Sequence, residues 1–248
     1  MPNIFVEPPR RNPRKGGLKS VIGEFVSVDR LPIGASVEWI SEGCDLPKAA
    51  PGLCYVPNPI TEDKTFSGID TGSGPIFGLY AGVQCYAGPD ADFDRRARKL
   101  LDEGEARGVE EVLWEWANTT AGAPIAATSI VNAVGQADEF ADSYYVGEPV
   151  LMMSRLNAVR ARAEGALFGG NAWDGTLWTA NGTPAIASAA ASDASIFVMG
   201  WPTVYRSDET VTRVVDPRQN LDMAIAERVY AIAVDCALVA GFTVPATA

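Results

Sequence analysis

The sequence predicts an α+β fold laid out flat around one long helix, and three observations carry that prediction. Residues 90–118 contain no proline and repeat apolar residues at helical spacing. The stretch before them, 25–88, is made of short alternating runs broken by turns and prolines. The stretch after about residue 195 is dense in β-branched and aromatic residues.

The elements follow in order. Residues 1–24 hold Pro8, Pro9, Pro13, Gly16 and Gly17, a composition that reads as an extended arm rather than a packed element. Phe25–Val28, Val37–Ile40 and Ile76–Tyr86 read as strands, while Pro47, Pro51, Pro57 and Pro59 exclude a central strand between them. In the helix, Phe93, Ala97, Leu100, Leu101, Gly104, Gly108, Val112, Leu113 and Trp116 form the apolar stripe, and Asp90, Asp92 and Asp94 suit the positive end of its dipole. At 1.5 Å per residue it is ~43 Å long. A globule of this length has a radius of gyration of only ~18 Å, so the helix crosses the whole molecule.

A second helix is expected over 126–145. A buried strand follows at Pro149–Met153, and Ser154 caps a short helix through Glu164. Residues 169–175 read as a turn. Short strands at 177–179 and 184–187 flank the Asn181-Gly182 turn, and others follow at 196–199, 203–206 and 210–215. Residues 221–244 mix helix-favouring alanines with β-branched residues and are read as two long strands meeting near Asp235-Cys236.

Composition narrows the function. Of the 248 residues, 47% are hydrophobic and 21% charged, which is ordinary globular usage. The chain has no histidine, which removes the serine triad with a histidine base, the Cys–His dyad and every histidine-ligated metal site. The net charge of −11 is uneven: residues 1–19 carry +4 through Arg10, Arg11, Arg14, Lys15 and Lys19, and the remainder carries −15. At that charge a whole-chain grip on nucleic acid is not expected, because duplex binding depends on neutralising phosphates with cations. The five cations are candidates for contact with a neighbouring acidic copy, with a frayed basic tail as the plainer reading. Cys44, Cys54, Cys85 and Cys236 lack metal-ligand spacing, and with no secretion signal all four are expected as free thiols. No apolar run approaches the ~20 residues of a membrane span, so no membrane partner is expected.

Candidate chemistry is sparse. Asp70-Thr71-Gly72-Ser73 matches the loop of aspartic proteases, whose chemistry needs two carboxylates sharing a proton. One loop occurs here, so a homodimer would have to supply the second, and a Gly-rich turn is the plainer reading. Asp90-Ala91-Asp92-Phe93-Asp94 opens like a calcium loop, but Arg95 and Leu101 stand where glycine and glutamate are required. Glu103, Glu105, Glu110 and Glu111 read as a solvated helix face rather than a metal cluster. No catalytic residue, cofactor site or metal site is assigned.

Three segments, in order, carry a resemblance. The first is Phe77-Gly78-Leu79-Tyr80-Ala81-Gly82-Val83-Gln84-Cys85, with Gly104-Glu105 through Val109-Glu110 and Leu113-Trp114 in the helix after it. The second is Leu177-Trp178-Thr179-Ala180-Asn181-Gly182-Thr183-Pro184. The third runs from Gly200-Trp201-Pro202-Thr203-Val204-Tyr205-Arg206 through Asn220-Leu221 and Ala226-Glu227-Arg228-Val229-Tyr230 to Asp235-Cys236. Together they resemble the major capsid proteins of tailed bacteriophages, the Hong Kong 97-type fold, and especially those of actinobacterial phages.

The resemblance implies an N-terminal arm at 1–24 and an E-loop with flanking strands at 25–88. It further implies a spine helix at 89–121, an axial domain at 122–200 and return strands of the peripheral domain at 201–248. It implies a non-enzymatic subunit that assembles with itself as hexamers and pentamers into an icosahedral head. That head encloses double-stranded DNA without sequence specificity, in a virion assembled in the host bacterial cytoplasm. Scaffolding, portal and decoration proteins are the further partners implied. The chain is short for a subunit with a cleaved scaffolding segment, so a separate scaffold or none is expected. An encapsulin-like compartment shell is the alternative of the same fold, and the dimeric protease using Asp70 is the remote one.

Overall fold

The computed structural model describes residues 15–32, 34–41, 44, 46–47, 71–86, 92–169, 175–216, 218 and 221–245. In chain order the elements are α1 (Leu18–Ile22), β1 (Val26–Ser27), β2 (Ser36–Ile40), β3 (Thr71–Tyr86), α2 (Phe93–Thr120), β4 (Ile125–Ala126), α3 (Ile130–Tyr144), β5 (Val150–Ser154) and α4 (Arg155–Ala163). They continue as β6 (Leu167–Gly169), β7 (Leu177–Thr179), β8 (Pro184–Ser188), β9 (Ser195–Met199), β10 (Pro202–Arg206), β11 (Thr210–Asp216), β12 (Leu221–Val234), a 3₁₀ turn (Asp235–Ala237) and β13 (Val239–Thr243). The expected α+β class is what forms.

Two sheets result. One is ordered β1-β10-β12-β3-β2, with β11 also paired to β12. The other is ordered β4-β13-β9-β5-β8-β7-β6. The 14-residue β12 is the backbone of the first sheet: it pairs with β3 from Leu221↔Tyr86 to Ala231↔Ile76, with β11 along its first half, and with β10 along its second. It then turns through Cys236 and Ala237, both at positive φ, into β13 of the second sheet. The expected meeting of two strands at this corner is therefore present.

Helix α2 runs 28 residues, ~42 Å at helical rise. Its buried residues fall every fourth position: Phe93, Ala97, Leu101, Glu105, Val109, Leu113 and Ala117, with Glu110 beside them. A helix has 3.6 residues per turn, so each four-residue step advances the buried face by ~40° and six steps by ~240°. The burial therefore winds around the helix. Phe93, Ala97 and Leu101 pack on Ala224 and Ala226 of β12. Val109, Leu113 and Ala117 sit among Met152, Ile186 and Phe197 of the second sheet and Tyr230 and Ile232 of the first. Gly108, expected to allow close packing, does so, because a Cβ there would lie 2.7 Å from the Leu79 side chain; Gly104 is open.

Serine caps set two helix starts. Ser154 Oγ accepts from the Asn157 N–H at 3.0 Å, as expected of it. Ser129 Oγ accepts from the Asn132 N–H at 3.1 Å, so α3 begins at Ile130 and not at 126. Ile125 and Ala126 instead pair with Phe242 and Thr243.

Three further expectations are corrected. Residues 15–22 are not an extended arm: Leu18 is fully buried at the start of α1. Leu167–Gly169 is an edge strand paired with β7, where only a turn was expected from 169 onward. Cys44 and Cys236 are joined by a disulfide across 192 residues, so they are not free thiols. The fold brings the end of β2 against the turn after β12, a proximity that cysteine spacing cannot express. Cys54 lies outside the described residues.

Candidate functional site

The polar groups that the fold brings together lie at the middle of α2. Glu105 occupies a position that an apolar residue would hold in the every-fourth stripe, and its side chain is 1% exposed. An isolated carboxylate there would be strongly destabilised, so it must be paired and hydrogen-bonded. Four donors meet it. Oε1 accepts from Lys19 Nζ at 2.7 Å and Arg206 Nη1 at 3.1 Å; Oε2 accepts from Arg228 Nη1 at 2.7 Å and the Tyr230 hydroxyl at 2.7 Å. Arg228 also reaches Asp102 at 3.1 Å and Glu209 at 3.2 Å, and Arg98 meets Glu209 at 3.0 Å. One carboxylate thus ties α1, β10 and β12 to α2.

Burial pushes the Glu105 pKa up, but hydrogen bonds from Lys19 and Tyr230 and the charges of Lys19 and Arg206 outweigh it. The carboxyl is held below its ordinary value. Burial and the Glu105 carboxylate together hold the Tyr230 hydroxyl well above the usual tyrosine range. Burial lowers the Arg228 value, but Tyr230 and Glu105 raise it further, so that guanidinium stays charged. A carboxylate has about four acceptor positions, and here all four are filled. Glu105 therefore cannot take a substrate proton, and the cluster is a joint rather than a reaction centre.

Glu110 is the second buried acid of α2, one turn and a half further on. Its Oε1 accepts the Leu18 N–H at 2.8 Å, and its Oε2 accepts from Ser188 Oγ at 2.6 Å. A Cβ on Gly17 would lie 2.4 Å from Oε1, so only glycine lets the carboxylate reach the start of α1. The same segment is held by the Ala187 N–H on the Gly16 carbonyl at 2.8 Å, by Arg155 Nη2 on the Lys15 carbonyl at 3.3 Å, and by the Thr176 hydroxyl on the Ser20 carbonyl at 2.9 Å.

These positions correct the reading of the helix acids as one solvated face. Glu103 and Glu111 lie outside the buried stripe, whereas Glu105 and Glu110 are inside it. Spacing held the signal, since Glu105 stands four residues from both Leu101 and Val109. Of the five arm cations, Arg10, Arg11 and Arg14 lie outside the described residues. Lys19 is engaged within its own chain, on Glu105 and over the Phe25 ring at 5.0 Å. Lys15 lies in the stitched segment.

Among the described residues the other candidate chemistry is not assembled. Asp70 lies outside the described residues, and Thr71, Gly72, Ser73 and Gly74 are strand, paired with β2 from Ile40↔Thr71 to Val37↔Gly74, rather than a loop. Asp92 pairs with Arg95, and that ion pair holds its carboxyl below the ordinary range. Among the described residues no group of three acidic or cysteine side chains is placed to hold a metal ion, and no helix is long and apolar enough to cross a membrane. Two open grooves stand out. One, of about 260 Å³, lies between Ile125, Phe140, Tyr144 and Phe242; the other, of about 270 Å³, lies between Tyr80, Asp208, Glu227 and Arg228. Both fall short of the ~300–1,000 Å³ usual for small-molecule sites.

No family model and no curated protein matches the chain. Solved structures do. The chain is similar to the capsid of a native GTA particle solved with C5 symmetry, at 14% identity and a TM-score of 0.56, over 98% of this chain and 96% of that one. It is similar to the capsid of Ralstonia phage GP4, at 12% identity and a TM-score of 0.56, over 100% and 96%. It is also similar to the holo-SrpI encapsulin complex from Synechococcus elongatus PCC 7942, at 13% identity and a TM-score of 0.56, over 98% and 92%. The capsid fold expected from the three sequence segments is thus the fold of the chain.

Proposed function

We propose that this chain is a major capsid protein, a structural subunit that assembles with itself into an icosahedral phage-type shell around double-stranded DNA. The observation that carries the reading is end-to-end correspondence of fold: 98% of this chain lies over 96% of the GTA capsid chain. Two features support it. The polar groups at the centre of the molecule are spent on joining elements, and large apolar side chains remain exposed, among them Tyr80 at 76%, Ile40 at 71% and Val159 at 66%. A shell subunit covers such side chains with neighbouring copies.

On this reading α2 is the spine helix, residues 25–88 include the E-loop, 122–200 make the axial domain and 201–248 return to the periphery. Copies form hexamers and pentamers, and scaffolding, portal and decoration proteins are further partners. Arg10, Arg11 and Arg14 extend the arm onto an acidic neighbour, lowering the repulsion between bodies of like charge. The subunit performs no catalysis.

Expression followed by negative-stain imaging tests the reading. Closed shells of uniform diameter are expected, and chains that stay monomeric or dimeric in all salt and pH conditions would overturn it. Nuclease-protected DNA in the particles supports a phage head, whereas a co-purifying protein cargo supports the compartment-shell alternative. Replacing Arg10, Arg11 and Arg14 with Gln is expected to lower the yield and salt tolerance of empty shells. Unchanged shells would assign those cations to the packaged DNA instead.

A further inference from the structure

The disulfide lies beside an edge strand of the first sheet. Among the described residues, strand β2 lies at the edge of the first sheet, is five residues long, and has β3 as its sheet partner. Its exposure alternates, with Ser36, Glu38 and Ile40 facing outward and Ile40 71% exposed. Trp39 lies over Gly72, and a Cβ at Gly72 would come 2.3 Å from its ring. An edge strand with so little buried surface sits at the low end of local stability. Cys44 follows it by four residues. Its partner Cys236 stands at the corner where the chain leaves β12 for β13, that is, where one sheet passes into the other.

That corner is itself constrained. Cys236 has φ 57° and Ala237 φ 46°, two successive non-glycine residues in the left-handed region. The Asp235 carbonyl leaves no room for a side chain at Gly200, where a Cβ would lie 2.2 Å away. Tyr145 donates to Asp235 at 2.6 Å; burial first, and that carboxylate second, push its hydroxyl up to about 12. Both cysteines are only half-buried, so a small oxidant or thiol can reach them.

We propose that Cys44 and Cys236 form an oxidation-gated staple. The bond is open while the chain is in a reducing cell interior and closes when it meets an oxidising environment, tying the chain just after β2 at Cys44 to the corner between the sheets. The oxidant class is a small-molecule disulfide. One cysteine thiolate attacks it, releasing one small thiol and leaving a mixed disulfide. The second cysteine thiolate then displaces the other half as a second small thiol. Two protein thiols thereby give two electrons and two protons to the two thiols released. The staple forms in the subunit whether or not it assembles into shells.

The test uses the full chain purified under reductant, then exposed to oxidised glutathione. Alkylation and mass spectrometry are expected to count four accessible thiols after unfolding before oxidation and two after, with peptide mapping joining Cys44 to Cys236. Hydrogen exchange of the Ser36–Ile40 amides is expected to slow at least roughly tenfold on oxidation and to recover on reduction of the same sample. Cys44→Ser removes the change, and Cys85→Ser keeps it. Reduction and reoxidation of the unaltered chain give the same readout should a variant fail to fold. The proposal is overturned by four free thiols after oxidation, by a crosslink through Cys54 or Cys85, or by exchange in β2 that ignores the redox state. Shell imaging is a separate readout, so losing the staple leaves the capsid reading standing.

Discussion

The two sheets of this molecule differ in what they leave uncovered. In the second sheet, every residue of β5 and of β8 is buried, so both faces of these central strands are covered within one chain. In the first, Leu79, Ala81 and Val83 pack on α2 and β12, while Gly78, Tyr80, Gly82 and Gln84 on the other face are exposed, and β11 is exposed along most of its length. The centre of the second sheet is covered within one copy and reads as continuous apolar runs such as Val150–Met153, while its edge residues Ile125, Phe168 and Trp178 stay exposed. The other is half-covered and reads as alternation. The lesson is that burial pattern separates the strands this chain covers by itself from those it leaves open.

The sharpest way to break this contrast is at the joint that ties α1 and the first sheet to α2. Glu105→Ala leaves Lys19, Arg206 and Arg228 around an empty site, and a cost of about 3–5 kcal/mol is expected from urea unfolding at pH 7. The pH dependence follows from the lowered pKa. The contribution of Glu105 is fully present above its unfolded value of 4.5 and is lost as pH falls through its lower folded value. The acid limb of the unfolding profile is therefore expected to be shallower in the variant.

Next in size is the closed sheet. Leu151→Ala in β5 opens a cavity among Ile130, Val198 and Phe242, and should cost about 2–5 kcal/mol by thermal or urea unfolding. Gly17→Ala should cost about 1–3 kcal/mol, since it displaces Glu110 from the Leu18 N–H. The local signature is faster hydrogen exchange in α1. Smallest is Tyr80→Ala on the open face, expected within about 0.5 kcal/mol of the parent subunit. A drop in shell yield with an unchanged melting temperature would assign that face to contacts between copies. A large loss of subunit stability would remove the distinction between the sheets.

Much of this architecture was legible in the sequence, and the omissions have physical causes. The long helix was readable because 28 residues without proline repeat one period, and Ser154 announced the start of α4. The strand-rich end was readable because β-branched residues outweighed its alanines. The five-residue α1 was not: it is too short to show a period, and Gly16 and Gly17 read as turn when Gly17 in fact makes room for Glu110. The three-residue β6 was hidden by Gly169 and Gly170 in the same way. The joint at Glu105 was visible as an acid on an apolar stripe, although its partners come from three elements up to 125 residues away. The Cys44–Cys236 pair had no sequence signal, because closing 192 residues of chain is a property of the finished fold.

The winding stripe on α2 has a mechanical consequence. A helix gripped along one straight line can roll or slide when its support shifts. This one is gripped along a spiral of ~240°, by one sheet at its first turns and by both sheets at its last. Neither rolling nor sliding is possible without breaking contacts at both ends at once. Glu105 lies three steps from Phe93 and three from Ala117, at the midpoint of that spiral. The helix therefore behaves as a keyed shaft: a torque applied to the first sheet is delivered through it to the second.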